Sequence, residues 1–304
     1  MTAAAYFLVN VDTDPDPDDT PRNDHAVLAK YNTMKGLIGV HANGKAAVCV
    51  MTGPLYRDRF FGDPFLGFFR DWAEDGADLV LHPEEDLYGT PSSQLEDGVH
   101  YSDTAYMSAV ITDQVQRMAH NGLTFAAYKG GYHGLTTGIV SILKRTGISM
   151  DLTCAPGIHW PAREAHWANA PLTAFYLSEN DLVQPASPDE ENPLFEIPFG
   201  WDGAPSDTGR LLNEHYLVNE FSTYEAMTKV WDTIAARSDT DGRPHVVSLL
   251  CHTFTMDQAP YRERLAAILD YMTAHGGVPV TASEAKALYD AGDVHQPSSN
   301  SPEA

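Results

Sequence analysis

YFLVNVDTDPD, from Tyr6 to Asp16, carries five apolar or aromatic side chains in its first six positions and then runs straight into carboxylates at Asp12, Asp14 and Asp16. That is the pattern of a buried strand with an acidic end. Side chains alternate along a strand, which puts Asp12 and Asp14 on one face, and carboxylates that close repel unless a cation or a shared proton lies between them. Taken alone, the stretch favours a solvated acidic loop, since the acids continue through Asp18 and Asp19. Three stretches downstream, each a short apolar run ending in polar residues of a catalytic kind, change that balance.

Outward from this strand, Asp24 is placed to cap a helix carrying Val27, Leu28, Tyr31, Met34 and Ile38 at helical spacing. Strands are expected at 46–51, 78–81, 123–128, 148–152, 245–251 and 278–280, and helices at 104–120, 135–145 and 261–274. Ser222 with Glu225 reads as a capping box for a helix through Trp231, and Thr281 with Glu284 as another. Strand and helix alternate at βαβ spacing, so the chain is α/β with parallel strands wrapped by helices. The aromatic series Phe60, Phe61, Phe65, Phe68, Phe69 and Trp72 reads as core or as a subunit contact, which leaves a homo-oligomer open. Residues 156–222, rich in proline, glycine and aromatics, break the alternation, with β-like pieces at 172–177 and 194–199. They are expected to form a strand-and-loop elaboration over one face of a single barrel domain spanning 1–292, with 293–304 as a disordered tail.

The chain has 304 residues, 43% of them hydrophobic, ample for a packed core. Forty-two acids against 19 bases give a formal charge of -23, which disfavours nucleic acid or an anionic membrane as partner. Cys49, Cys154 and Cys251 are widely spaced and form no C-x-x-C pair, so no disulfide framework is implied. With no basic n-region and no long apolar run, the expected location is cytoplasmic.

Four strand ends hold the candidate chemistry: Asp12 with Asp14; His82 with Glu84, Glu85 and Asp86; Lys129-Gly130-Gly131-Tyr132; and His252. In a barrel of parallel strands such ends converge on one face. Here the chain resembles the polysaccharide deacetylases, the family 4 carbohydrate esterases. VNVDTD resembles a divergent form of that family's first motif, HPEED its second with Asp86 at the second histidine position, and YKGGY its third with Tyr128 at the arginine position. DLTCAPG, beginning at Asp151, resembles the fourth, and LLCH, ending at His252, the fifth. The similarity covers 6–289, apart from 156–222.

The resemblance implies a distorted (β/α)7 barrel with a strand-and-loop insertion, and a metal-dependent hydrolase that removes an N-acyl group from a saccharide or small carbohydrate-like metabolite. Asp12 is then the base, His252 the acid, and Asp14, His82 and Asp86 the metal ligands, with Glu84 or His100 as alternatives to Asp86. Asp151 would tune the site by orienting a cationic partner. Zinc is the first expectation for the divalent metal, with manganese, iron or magnesium as alternatives that an oxygen-rich ligand set favours. Lys129, Gly130, Gly131, Tyr132, Trp160 and Trp201 are candidates for substrate contact, and a backbone N–H at the two glycines for the oxyanion, although the aromatic rings read equally as loop packing. A competing reading is a metal-free barrel using Asp12 and His252 as a base–acid pair in an isomerase or lyase. Another is a carbohydrate-binding protein that presents the 156–222 loops.

Overall fold

The computed structural model describes residues 4–15, 23–53, 56–84, 100–205, 209 and 211–297. Its centre is β1 (Ala5–Asp12), buried along nearly its whole length. β1 pairs in parallel with β10 (His245–His252) from Ala5↔His245 to Asp12↔His252. Its other edge pairs with β11 (Gly277–Pro279) at the start and β2 (Ala47–Met51) at the end. Beyond β2 the sheet continues in parallel through β3 (Asp78–His82), β4 (Ala127–Tyr128), β5 (Met150–Asp151) and β9 (Phe195–Glu196). β8 (Phe175–Tyr176) adds antiparallel to β9, and β6 (His159–Trp160) forms a separate hairpin with β7 (Ala165–His166).

The sheet curls back on itself. Ser248 N–H in β10 donates to the Pro198 carbonyl and Gly200 N–H to the Ser248 carbonyl, both at 2.8 Å, so the chain just after β9 meets the strand that began the order. β1 to β5, β9 and β10 thus make a distorted (β/α)7 barrel. The 156–222 segment does more than cover a face, because it supplies β9.

Helices α1 (Asp24–His41), α2 (Arg57–Phe60), α3 (Phe65–Glu74), α4 (Thr104–His120), α5 (Thr137–Thr146), α6 (Tyr224–Asp241), α7 (Ala259–Ala274) and α8 (Ala282–Asp290) fill the connections. No helix among the described residues is long and apolar enough to cross a membrane. Several ends differ from the sequence expectation for identifiable reasons. Asn23, not Asp24, caps α1 through its side chain. Thr223, not Ser222, caps α6, because the Ser222 hydroxyl donates to the carbonyls of Asn213 and Tyr216. The Thr281–Glu284 capping box is present as expected. Leu123 and Ile148 belong to helix stops rather than strands. Each follows a glycine with positive φ, Gly122 or Gly147, and donates its N–H five residues back to Met118 or Leu143. The segment after α8 is docked through 297, with Val294 buried and His295 N–H donating to the Pro244 carbonyl at 2.9 Å.

The aromatic series is core. Phe60, Phe65, Phe69 and Trp72 are buried, and Tyr31 of α1 packs its ring against Phe60, Phe65, Phe68 and Phe69 at centroid distances of 5.5–6.3 Å. The Tyr31 hydroxyl donates to the Thr13 carbonyl, between the two acids at the end of β1. Core packing is thereby coupled to the strand end. Tyr31→Phe keeps the ring packing and loses that bond, so denaturant unfolding should show a loss of about 1 kcal/mol. Phe65→Ala should lose about 3–5 kcal/mol by leaving a cavity.

Candidate metal centre and active site

Strand geometry delivers the first acids. Thr13 is locked between β1 and β2: its N–H and hydroxyl both reach the Cys49 carbonyl, and its hydroxyl oxygen accepts from Met51 N–H. Asp12 and Asp14, one residue to either side, are thereby fixed towards the barrel mouth. His82 arrives at the end of β3, where its Nδ1 lies 2.9 Å from the Lys129 carbonyl. A carbonyl only accepts, so Nδ1 carries a proton, and Nε2 is the nitrogen that would turn its lone pair to an ion once its own proton is displaced.

His82 Nε2 lies 3.7 Å from Asp12 Oδ2, 4.0 Å from Asp14 Oδ1 and 3.4 Å from Glu84 Oε1. One ligand atom each from Asp12, Asp14 and His82 falls within 4.8 Å of the others. His82 Nε2, Asp12 Oδ1 and Asp14 Oδ1 are buried without a hydrogen-bond partner. Buried polar atoms are normally satisfied, and a divalent cation on His82 Nε2 and Asp14 Oδ1, with a bound water on Asp12 Oδ1, would satisfy all three. The donors fit such an ion: one imidazole and carboxylates around it make a hard, oxygen-rich set.

The electrostatics describe the same excess of negative charge. Burial, then the Glu84 carboxylate, pushes Asp14 up to about 7. Burial works against a charged His82, yet the Asp12 carboxylate and the Glu84 contact raise it to about 9. Burial would also raise Asp12, but the Lys129 ammonium, helped by His82 and His252, holds it well below the usual carboxylate range.

Lys129 is buried, forms an ion pair with Asp12 Oδ2, and lies 5.7 Å from the Phe199 ring centre. It thus faces the first-motif acid, a contact its place beside the arginine position does not disclose. Across the mouth, His252 Nε2 is 3.5 Å from Asp12 Oδ2 and Nδ1 is 3.1 Å from Glu220 Oε2. Glu220 also accepts from His252 N–H at 2.9 Å. Burial opposes the charged imidazole, but Glu220 raises His252 to about 9. No sequence pattern singles out Glu220; it is placed by the parallel bridge Val218↔Leu250 alongside β10.

Other candidates go elsewhere. Among the described residues Asp151 has no cationic partner beside it. Its Oδ1 accepts from the Thr153 hydroxyl at 2.6 Å, and its neighbour in register across β5 and β9 is Glu196. Both acids are fully buried, and burial raises the pKa of each. Asp151 Oδ2 and Glu196 Oε2 have no other partner, the arrangement of two carboxyls sharing one proton. The N–H groups of Gly130 and Gly131, expected to be available for an oxyanion, are taken by Thr153 Oγ1 at 2.8 Å and the Tyr101 hydroxyl at 3.0 Å. Gly130 is obligatory, since a Cβ there would run into the Gly134 carbonyl.

Tyr132 and Trp160 meet edge to face at 5.8 Å, with the buried Arg163 guanidinium over both rings. Trp201 stacks on Tyr216, and its Nε1 donates to the Ala204 carbonyl, which commits it to loop packing. His100 is exposed and packs on Tyr106 at 4.5 Å between ring centres. Asp86 lies outside the described residues. His133, which the sequence reading passed over, takes a positive φ of 64° at the mouth, with Nδ1 unsatisfied. Burial and the Lys129 charge drive it down to about 3, so its imidazole is neutral.

No family model matches the chain, and no curated protein matches it by sequence. Solved structures do. A Mycobacterium smegmatis protein described as a polysaccharide deacetylase superposes over 100% of this chain and 96% of its own, at 13% identity and TM-score 0.60. PuuE allantoinase covers 95% of this chain and 91% of its own, at 9% identity and TM-score 0.59. A Pseudomonas aeruginosa PAO1 protein described as a probable polysaccharide deacetylase covers 96% and 93%, at 9% identity and TM-score 0.55. The chain therefore has a divergent polysaccharide deacetylase-like fold.

Proposed function

We propose that this chain is a metal-dependent hydrolase that removes an N-acyl group, acetyl in the simplest case, from a sugar or small carbohydrate-like metabolite. The observation that carries the reading is the buried, partnerless set of His82 Nε2 and Asp14 Oδ1 beside Asp12, with His252 and Glu220 across the mouth. The fold-mates described as polysaccharide deacetylases support the same chemistry. A cytoplasmic location, expected from the sequence, favours a nucleotide sugar or glycan precursor over an intact wall polymer.

Asp14 and His82 would hold the cation, and among the described residues Glu84, with Oε1 3.4 Å from His82 Nε2, offers a further donor. A divalent ion held by these residues would supply Lewis acidity to the acyl carbonyl and would lower the pKa of a bound water to about 7. Asp12 takes the water proton through Oδ1, the oxygen that Lys129 leaves open. Lys129 keeps Asp12 ionised for that step. His252 stands on the other side of Asp12 and donates from Nε2 to the departing nitrogen, with Glu220 holding it protonated through Nδ1. Tyr132 and Trp160, half-buried and packed edge to face, are the rings a sugar would meet.

Purified protein should carry divalent metal at the barrel mouth, and Asp14→Asn should lose that mouth-bound equivalent together with deacetylation of an N-acetyl sugar. Metal-free protein that still acts on a carbohydrate would instead favour the base–acid isomerase or lyase, because Asp12 Oδ2 and His252 Nε2 lie 3.5 Å apart. Asp12→Asn and His252→Ala should each lower kcat by about 10²- to 10⁴-fold in single-turnover hydrolysis, with the fold retained by circular dichroism.

The acid must be protonated to act, so activity should fall as pH rises through the His252 value near 9. Glu220→Gln removes the charge that raises it. The basic limb of the pH–rate profile should then move down towards the ordinary histidine value of about 6.5, and an unmoved limb would exclude His252 as the acid.

A further inference from the structure

A second cluster of metal-ligating side chains lies at the other end of β10. Asp241 is the last residue of α6, His245 the first of β10, and His295 belongs to the segment after α8. His252 stands at the far end of the same strand, roughly 23 Å away at about 3.3 Å per residue. The cluster is therefore separate from the barrel mouth.

His245 Nε2 is 2.7 Å from Asp241 Oδ2, and His295 Nδ1 is 3.8 Å from that same oxygen. The two imidazoles stack at 4.9 Å between centroids with planes 23° apart. One ligand atom from each residue lies within 4.8 Å of the others. A hydrogen bond accounts for His245 on Asp241. It does not account for a second imidazole, from a distant part of the chain, stacked on the first with its Nδ1 turned to one shared oxygen.

The backbone holds all three without help from an ion. Gly242, at φ 69°, ends α6 and turns the chain so that Asp241 and His245 face each other. The Ser238 hydroxyl accepts from His245 N–H at 3.0 Å. On the other side, His295 N–H donates to Pro244, Val294 is buried, and Gln296 Nε2 reaches the Tyr289 carbonyl at 2.6 Å. Only small side-chain shifts separate these donors from coordination distance.

We propose that Asp241, His245 and His295 form a second divalent-cation site, of a two-histidine, one-carboxylate type suited to zinc, with water completing the coordination. His245 is buried at 2% exposure, while Asp241 at 34% and His295 at 22% leave an entry from solvent. The ion would clip the C-terminal segment to the junction of α6 and β10, a structural role remote from substrate. Ligation requires neutral imidazoles, so affinity falls as pH drops through the histidine range.

The Asp14→Asn variant, which disables the barrel-mouth site, isolates this one. Stripped of metal and titrated with Zn²⁺ by calorimetry, it should take up about one equivalent, and its thermal midpoint should rise by a few degrees. Asp14→Asn/His295→Ala should show neither effect. In wild type, His295→Ala should lower the Zn²⁺ stoichiometry by one and leave hydrolysis unchanged, and with Co²⁺ as probe it should remove one set of visible ligand-field bands. Absence of Zn²⁺ uptake by Asp14→Asn, or equal uptake with and without His295, overturns the proposal. Loss of metal at the mouth alone leaves these readouts unaffected, so the two sites fail independently.

Discussion

Two carboxylates at the end of the central strand, withdrawn from water, set the terms for everything around them. Asp12 and Asp14 are held by β1 and Thr13 with little room to separate, so the surrounding groups must supply positive charge. Lys129 supplies it to Asp12 directly. Removing one partner of a buried pair of this kind typically costs about 3–5 kcal/mol, because the remaining charge is stranded. Among the described residues Asp14 has no such ammonium partner, and its raised pKa reflects burial and the neighbouring Glu84 carboxylate. His82, tethered through Nδ1 with Nε2 pointing at both acids, is placed where an imidazole and a cation can together offset that negative charge.

The barrel turns that local tension into a site. Parallel strands end on the same side, so Asp12, His82, Lys129 and His252 arrive from different parts of the chain at one mouth. Curling of the sheet completes it. The bonds between 198–200 and Ser248 carry Phe199 to Lys129, and the bridge at Val218 carries Glu220 to His252. The irregular 156–222 segment is therefore part of the electrostatic design, since it supplies the Glu220 carboxylate that faces His252 and raises its pKa.

Asp151 and Glu196 support the mouth from below. Side by side on neighbouring strands and sealed from solvent, they can hold only one negative charge between them. Asp151 orders Thr153, Thr153 accepts from Gly130 N–H, and Gly130 follows the lysine that pairs with Asp12. The following turn is strained, with Tyr132 and His133 both at positive φ, and is held by these bonds and by the Trp167 indole on the His133 carbonyl.

The sequence by itself determined the alternation of parallel strands with helices and the strand ends that carry Asp12, Asp14, His82 and His252, which follow from hydrophobic period, capping chemistry and strand length, properties of contiguous residues. The barrel was implied by the resemblance to the deacetylases, and the aromatic series stood open between core and subunit contact until packing placed it in the core. Hydrophobic period overextended β4 and β5, because Leu123 and Ile148 are apolar and β-compatible while the glycine before each closes a helix. The contact of Lys129 with Asp12, the support of His252 by Glu220, the pairing of Asp151 with Glu196 and the use of the Gly130 and Gly131 N–H groups by Thr153 and Tyr101 were decided only in three dimensions. Each joins residues from separate segments or turns on which way a side chain points, and the curl and closure of the sheet set both; no spacing along the chain encodes them.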